Sequence, residues 1–340
     1  MARFDVVVIG LGIMGSAALH RLAARGVRVL GVEQHLPGHD RGSSHGATRI
    51  IRLSYFEHPA YVRLLRAVYP QWRELEAQIG HRLMSKTGIA EIGAPLGGLV
   101  QGTLAAARDH ALQHEVLDAA TLMRRYPAFR LPDDFVAVVQ PDGGVLEAEP
   151  ALHAFLALAR AAGAEVRTND RVRAVEPHQN GVRVFTASDM VDAAAVIVTA
   201  GARLPALVPQ LAGTLRATRQ VLAWFEPREP ALFSPPNFPV FLIESSHGVH
   251  YGFPLQAGQG VKAAKHHHLD EPVDPDRYNR AVSSHDEAVI RAALADYLPG
   301  ADGRLLSAQT CLYTMAPDGD FIIDQLPGSP QIVIGSPCSG

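Results

Sequence analysis

Cysteine is nearly absent. Cys311 and Cys338 are the only two in 340 residues, too few for a disulfide framework, and they suggest a reducing compartment or one thiol kept for its chemistry. Long hydrophobic runs are missing too: no stretch reaches 18 apolar residues, so no transmembrane helix is expected. The apolar opening after Met1-Ala2-Arg3 is interrupted by Gly10, Gly12 and Gly15, which argues against a signal peptide. Neither sign of charge is in excess. Against 34 Asp and Glu stand 31 Lys and Arg, a formal net charge of -3, which removes the electrostatic case for nucleic acid or an anionic membrane surface. Charged residues are 19% of the chain and hydrophobic ones 47%, so a substantial core can be buried and wholesale disorder is excluded. No repeat of 20–50 residues is present, and the one low-complexity tract is His266-His267-His268. A His triplet suggests a metal, but no second cluster offers the missing ligands, so no metal site is expected. The expectation is a soluble cytoplasmic protein.

What is there begins with alternating strand and helix signals. Phe4–Ile9 is a β-branched run typical of a strand buried on both faces, Ser16–Arg25 reads as an Ala- and Leu-rich helix, and Val27–Val32 reads as a second buried strand. Further helices are expected over Tyr61–Gln78, Leu99–His114, Glu149–Ala162 and Asp286–Tyr297. Strands are expected at Glu165–Val175, Gly181–Thr186, Val191–Ala200, Val221–Phe225 and Val240–Ile243. Dinucleotide-type elements recur along the chain between sheet-rich stretches, which predicts two discontinuous domains.

Gly10, Gly12 and Gly15 form G-x-G-x-x-G between the first strand and helix. The first glycine permits a tight turn, the second lets the backbone approach a pyrophosphate, and the third lets helix and strand pack closely. Glu33 ends the next strand, where a carboxylate can accept the ribose hydroxyls, and this disfavours a 2′-phosphate and hence NADP. The motif alone leaves NAD and FAD both open. A later strand ending at Gly201 is a pattern found in FAD folds, though an ordinary buried strand with a glycine turn would read the same.

The segment Arg41-Gly42-Ser43-Ser44-His45-Gly46-Ala47-Thr48-Arg49-Ile50-Ile51-Arg52 is more specific. It resembles the monomeric sarcosine oxidase family, which includes N-methyltryptophan and pipecolate oxidases. Further matches follow in order at Lys86-Thr87-Gly88, Tyr251-Gly252-Phe253-Pro254, Val261-Lys262, His266, Cys311-Leu312-Tyr313-Thr314 and Asp320-Phe321-Ile322-Ile323-Asp324. The resemblance spans essentially the whole chain. It implies an α/β fold with a Rossmann-like FAD-binding domain (residues 1–85, 150–214 and 315–340) and a substrate domain on a mixed or antiparallel sheet (86–149 and 215–314).

The resemblance also implies roles. FAD is the cofactor, held by the glycine turn, Glu33, Ser43, Ser44, Thr48 and Gly201 and linked covalently through Cys311. Arg52 holds the substrate carboxylate, Arg49 and His45 lie beside the flavin, Lys262 promotes the reaction with oxygen, and Tyr251 and His266 line the substrate cavity. The partners implied are a small amine or amino acid and molecular oxygen, and the protein is expected to be a monomer. Some positions depart from the sarcosine oxidases: Ser44-His45 replaces a His-His pair, Ala47 replaces Asp, and His250 replaces a tyrosine. These leave the substrate open. Cys338 reads as structural. At Ser336-Pro337-Cys338-Ser339-Gly340 the family opens a Ser-Gly-His-Gly-Phe-Lys segment and a further helix, so the expectation is a C-terminally truncated chain. The activity implied is oxidation of a small secondary amino acid, N-methylated or cyclic. The rivals are a primary-amine oxidase or amine dehydrogenase, and a non-catalytic flavin-binding protein.

Overall fold

The computed structural model describes residues 4–256 and 258–336; Cys338 and the terminal segment with it lie outside the described residues. Strand β1 (Phe4–Ile9) lies between β2 (Val29–Val32) and the strand Met190–Val198, parallel to both. Val7, Val8 and Ile9 are buried, as a strand covered on both faces requires. Met190–Val198 serves two partners along one edge. Its first half pairs antiparallel with Gly181–Phe185 and its second half pairs parallel with Ser329–Ser336. The C-terminal ends of these four parallel strands therefore meet above the glycine turn, the usual place for a ligand in such sheets.

Helix α1 (Ile13–Ala23) packs Leu19 and Ala23 against Leu152 and Leu156 of the helix Ala148–Ala161. It begins earlier and ends sooner than the expected Ser16–Arg25, because Gly12 takes the extended N-cap conformation and the Ser44 hydroxyl accepts the Ile13 N–H at 3.0 Å. The expected strand Glu165–Val175 is two strands, Glu165–Arg167 and Ala174–His178. Between them Asn169 adopts φ 55° and the Asp170 N–H bonds the Glu33 carbonyl. The helix expected over Leu99–His114 closes as Gly98–Asp109, after which Ala111 takes φ 50° and the chain enters the strand Glu115–Asp118.

A second sheet runs in the order Leu305–Met315, Arg216–Phe225, Val261–Lys265, Gly248–Gly252, Val240–Ser245, Ile89–Gly93, Val136–Gln140 and Glu115–Asp118. Val240–Ser245 pairs parallel to Ile89–Gly93 and the other neighbours of both are antiparallel, so the sheet is mixed. Phe129, Phe233, Phe238 and Phe241 centre its core. The strand Thr48–Ile51 pairs instead with Gly144–Glu147, which also pairs with Met84–Lys86. This small sheet carries the Arg-rich segment from the first sheet toward the second.

Burial makes the fold acid-sensitive. Desolvation holds the imidazoles of His45 and His250 down to about 4 and that of His266 to about 3, so all three are neutral in the native state near neutrality. The unfolded chain takes up those protons near 6.5, so their stability is present above that value and is lost as pH falls toward 4. The thermal midpoint should drop as pH is lowered from 7 to 4.5; a flat midpoint over that range would refute the assignment.

Candidate active site

The three motif glycines differ in their surroundings. Gly10 has φ 87°, and a Cβ there would lie 2.6 Å from the Thr199 carbonyl; one on Gly15 would lie 1.9 Å from the Gly10 carbonyl. A Cβ on Gly12 would meet only the Ser44 hydroxyl, at 3.0 Å, so the backbone there faces the cleft. Thr199, at the end of Met190–Val198, locks the turn by donating its hydroxyl to the Gly10 and Ile9 carbonyls at 2.8 and 3.0 Å.

Glu33 is buried, accepting the Leu11 N–H on one oxygen at 2.8 Å and the His35 N–H on the other at 3.0 Å. Burial alone would raise its carboxyl, but the contact from His39 and the two amides outweigh it, leaving the carboxylate below its ordinary range. A cleft runs from Glu33 past Gly12, Ser43 and Ser44 to Ser336, with Gly201 at φ 54° on its wall. The Ser336 hydroxyl is buried there without a hydrogen-bond partner among the described residues. These residues fit a dinucleotide: a helix N-terminus facing the cleft for pyrophosphate, a charged acceptor for ribose hydroxyls, and a spare hydroxyl facing the same space.

The segment from Ser43 to Arg52 turns its carbonyls inward. Arg49 donates to the carbonyls of Thr48 at 2.8 Å, His45 at 2.9 Å and Ser43. Lys262, only 1% exposed, donates to the Gly46 carbonyl at 2.6 Å and the Thr48 carbonyl at 2.9 Å, with the Thr48 hydroxyl at 3.3 Å. The ammonium also lies over the rings of Phe253 and Trp224. Desolvation pushes the lysine well below its ordinary range and the Arg49 charge pushes it the same way. Thr48 thus faces Lys262, whereas Ser43 and Ser44 line the cleft. Glu149 accepts the Gly46 and Ala47 N–H groups at 2.9 and 3.1 Å and fixes the bend where Ala47 has φ 63°.

Arg52 is buried between two carboxylates. Its Nη1 donates to the Ser54 carbonyl at 2.8 Å and to Glu91 at 3.1 Å, while both Glu57 oxygens lie 2.8 Å from Nη2. Tyr55 and Phe56 cover the guanidinium at 4.1 and 4.9 Å. Nearby, His266 lies 3.4 Å from the Tyr313 hydroxyl and contacts the ring of His267 at 3.9 Å. Burial pushes the buried Tyr251 hydroxyl up to about 12. His268 points away, to Asp286 at 2.9 Å, and Asp286 grips Arg219 through both oxygens at 2.8 and 2.9 Å. The His triplet is thereby divided between two environments, and among the described residues no group of His, Cys, Asp and Glu is placed to hold a metal.

Cys311 is buried beside Leu222, Trp224 and Ala264. Burial raises its thiol above the ordinary range, with Arg49 and Lys262 acting in the opposite sense. The sequence reading missed Thr199, Glu149, Glu57 and Glu91. Thr199, in Thr199-Ala200-Gly201, carried a signal in its position at a strand end; the three glutamates are brought in from separate segments and carried none.

A model of the family DAO, FAD dependent oxidoreductase, matches residues 5–340. The chain is 38% identical over 333 residues to a monomeric sarcosine oxidase of Streptomyces avermitilis, covering 97% of this chain and 87% of that protein. It is 33% identical over 342 residues to an N-methyl-L-tryptophan oxidase of Yersinia pestis, covering 99% and 90%. Among solved structures, the open form of NikD, an unusual amino acid oxidase essential for nikkomycin biosynthesis, superposes with a TM-score of 0.87 at 27% identity, covering 99% of this chain and 90% of that one.

Proposed function

The chain belongs to the FAD dependent oxidoreductase family, and from that premise we propose that it oxidises a small secondary amino acid, N-methylated or cyclic, with oxygen as acceptor. The observation that carries this reading is Arg52: a buried guanidinium whose Nη2 already holds a carboxylate, that of Glu57, on a loop and about a third exposed. A substrate carboxylate can take that place without changing the charge count around Arg52.

FAD, when bound, would supply the acceptor for a hydride equivalent from the C–H bond beside the substrate nitrogen and the two electrons that oxygen takes up. The residues of the chain do the rest. Arg52 fixes the substrate by its carboxylate, which orients the neighbouring C–N bond. Neutral His266 and the protonated Tyr251 shape the cavity without repelling a cationic amine. Lys262 presents a cation that stabilises negative charge developing on oxygen, and Arg49 and His45 form the cofactor side of the site. Gly10, Gly12, Gly15, Glu33, Ser43, Ser44 and Gly201 hold the dinucleotide, and Thr48 contributes through Lys262. The substrate-derived imine hydrolyses in water, and oxygen leaves as hydrogen peroxide. The cofactor domain comprises 1–85, 150–214 and 315–340 and the substrate domain 86–149 and 215–314, in a monomeric cytoplasmic enzyme.

Peroxide production with sarcosine, N-methyltryptophan, pipecolate and proline tests this reading. Peroxide with at least one of them is the expected result; a flavin-loaded protein that forms none with any would overturn it. Reduction of an artificial dye without oxygen uptake would favour a dehydrogenase. We also assign the covalent link to Cys311, whose raised thiol depends on Arg49 and Lys262 to form thiolate for attack on the flavin. On acid precipitation the yellow colour should stay with the pellet of the unaltered protein and move wholly to the supernatant for Cys311→Ala. Colour in the supernatant of the unaltered protein would remove the link.

A further inference from the structure

We infer that Glu91 is the positioning residue of the carboxylate site: it holds one edge of Arg52 in place while the other edge exchanges Glu57 for substrate. The two acidic partners of Arg52 differ in kind. Glu57 is on a loop, about a third exposed, and touches Nη2 only. Glu91 is completely buried on the strand Ile89–Gly93, where its neighbours Val240–Ser245 and Val136–Gln140 fix its backbone from both sides.

Both Glu91 oxygens are committed. One accepts Nη1 of Arg52 at 3.1 Å and the other accepts the Ser54 hydroxyl at 3.0 Å. Nη1 is further held by the Ser54 carbonyl at 2.8 Å, so a short ring of contacts, Arg52 to Glu91 to Ser54 and back, ties the guanidinium to the sheet. Displacing Glu57 breaks none of these contacts.

A buried carboxylate is an expensive way to hold an arginine. Burial and the nearby Glu57 charge push the Glu91 carboxyl up to about 7, with Arg52 and the Ser54 hydroxyl opposing them. A residue serving only to fill the core here would be apolar at lower cost. The position instead supplies an acceptor aimed at Nη1 from the side opposite the exchangeable carboxylate.

This inference rests on the proposed function for the identity of the ligand as a carboxylate, and binding rather than turnover tests it. The probe is benzoate, titrated into the flavin-loaded protein by calorimetry, with benzamide as its uncharged counterpart. Glu91→Ala should weaken benzoate about tenfold to a hundredfold, the worth of one charge-assisted hydrogen bond, and leave benzamide unchanged. Glu91→Gln, which keeps an acceptor for Nη1, should recover benzoate binding to within about threefold of the unaltered protein. In turnover with whichever of the four tested amino acids yields peroxide, the Ala variant should raise KM by the same factor and leave kcat nearly unchanged.

Equal benzoate affinity in Glu91→Ala and the unaltered protein would overturn the assignment, as would equal weakening of benzoate and benzamide, or failure of Gln to recover. Should Glu91→Ala not fold, Ser54→Ala decides, since it removes the hydroxyl that holds the second Glu91 oxygen; unchanged benzoate affinity there overturns the role and a severalfold loss supports it. No benzoate binding to the unaltered protein would instead sink the carboxylate site itself, and Glu91's role with it.

Discussion

Replacing Arg52 with methionine should raise KM for the amino acid substrate by about 10² to 10³, the usual effect of removing one partner from a buried, hydrogen-bonded charge pair. The loss should be confined to substrates with a free carboxylate, so the methyl ester of the same amino acid should lose far less in kcat/KM. An equal loss for acid and ester would mean that Arg52 shapes the cavity without gripping the carboxylate. The variant should also change the pH dependence of stability. Arg52 now opposes the burial of Glu91, whose carboxyl already lies up at about 7. Without the guanidinium Glu91 rises further and remains protonated in the native state, whereas the unfolded chain ionises it near 4.3. The native state then binds the extra proton, so stability is full below the unfolded value and is lost as pH rises through the native one. Glu91 thus opposes the acid loss expected of His45, His250 and His266, and the thermal midpoint of Arg52→Met should rise less between pH 5 and 8 than that of the unaltered protein; an equal rise would refute this.

The first βαβ unit was legible because its chemistry is local. Gly15 answers to Gly10 within a single turn, and Glu33 stands at the end of the very next strand. Boundaries were less legible where a distant group decides them, as when Ser44 supplies the acceptor that starts α1 at Ile13. The carboxylates around Arg52 were illegible for the same reason. Glu57 is only five residues away but reaches Nη2 through a loop conformation that no periodicity encodes, and Glu91 reaches Nη1 through the pairing of a different sheet. Lys262 sits at the far limit of this scale: its acceptors, Gly46 and Thr48, are more than 200 positions away in the chain. Only resemblance could single it out, since a lysine in an alternating strand usually extends to solvent.

Lys262→Met should reduce peroxide formation by about 10² to 10³, the cost of losing a preorganised charge-stabilising group, while amine consumption without oxygen stays within about tenfold. Methionine keeps the unbranched stem but removes the ammonium, and with it the donor to the Gly46 and Thr48 carbonyls. A loosened loop would slow amine consumption and reoxidation alike, so comparing the two half-processes separates that cause from loss of the cation, and Lys262→Arg, which retains both donors and charge, serves as the conservative control. Recovery of peroxide formation in Lys262→Arg but not in Lys262→Met assigns the effect to the cation or its hydrogen bonds; equal slowing of both half-processes in Lys262→Met assigns it to the loop and removes the oxygen role. The pH dependence gives a further check. Desolvation and the Arg49 charge hold the ammonium well below its ordinary range, so the cation is present at low pH and is lost as pH rises through the depressed value. Oxygen reactivity of the unaltered protein should therefore decline with rising pH well before a solvated lysine would titrate, and that decline should be absent from Lys262→Met.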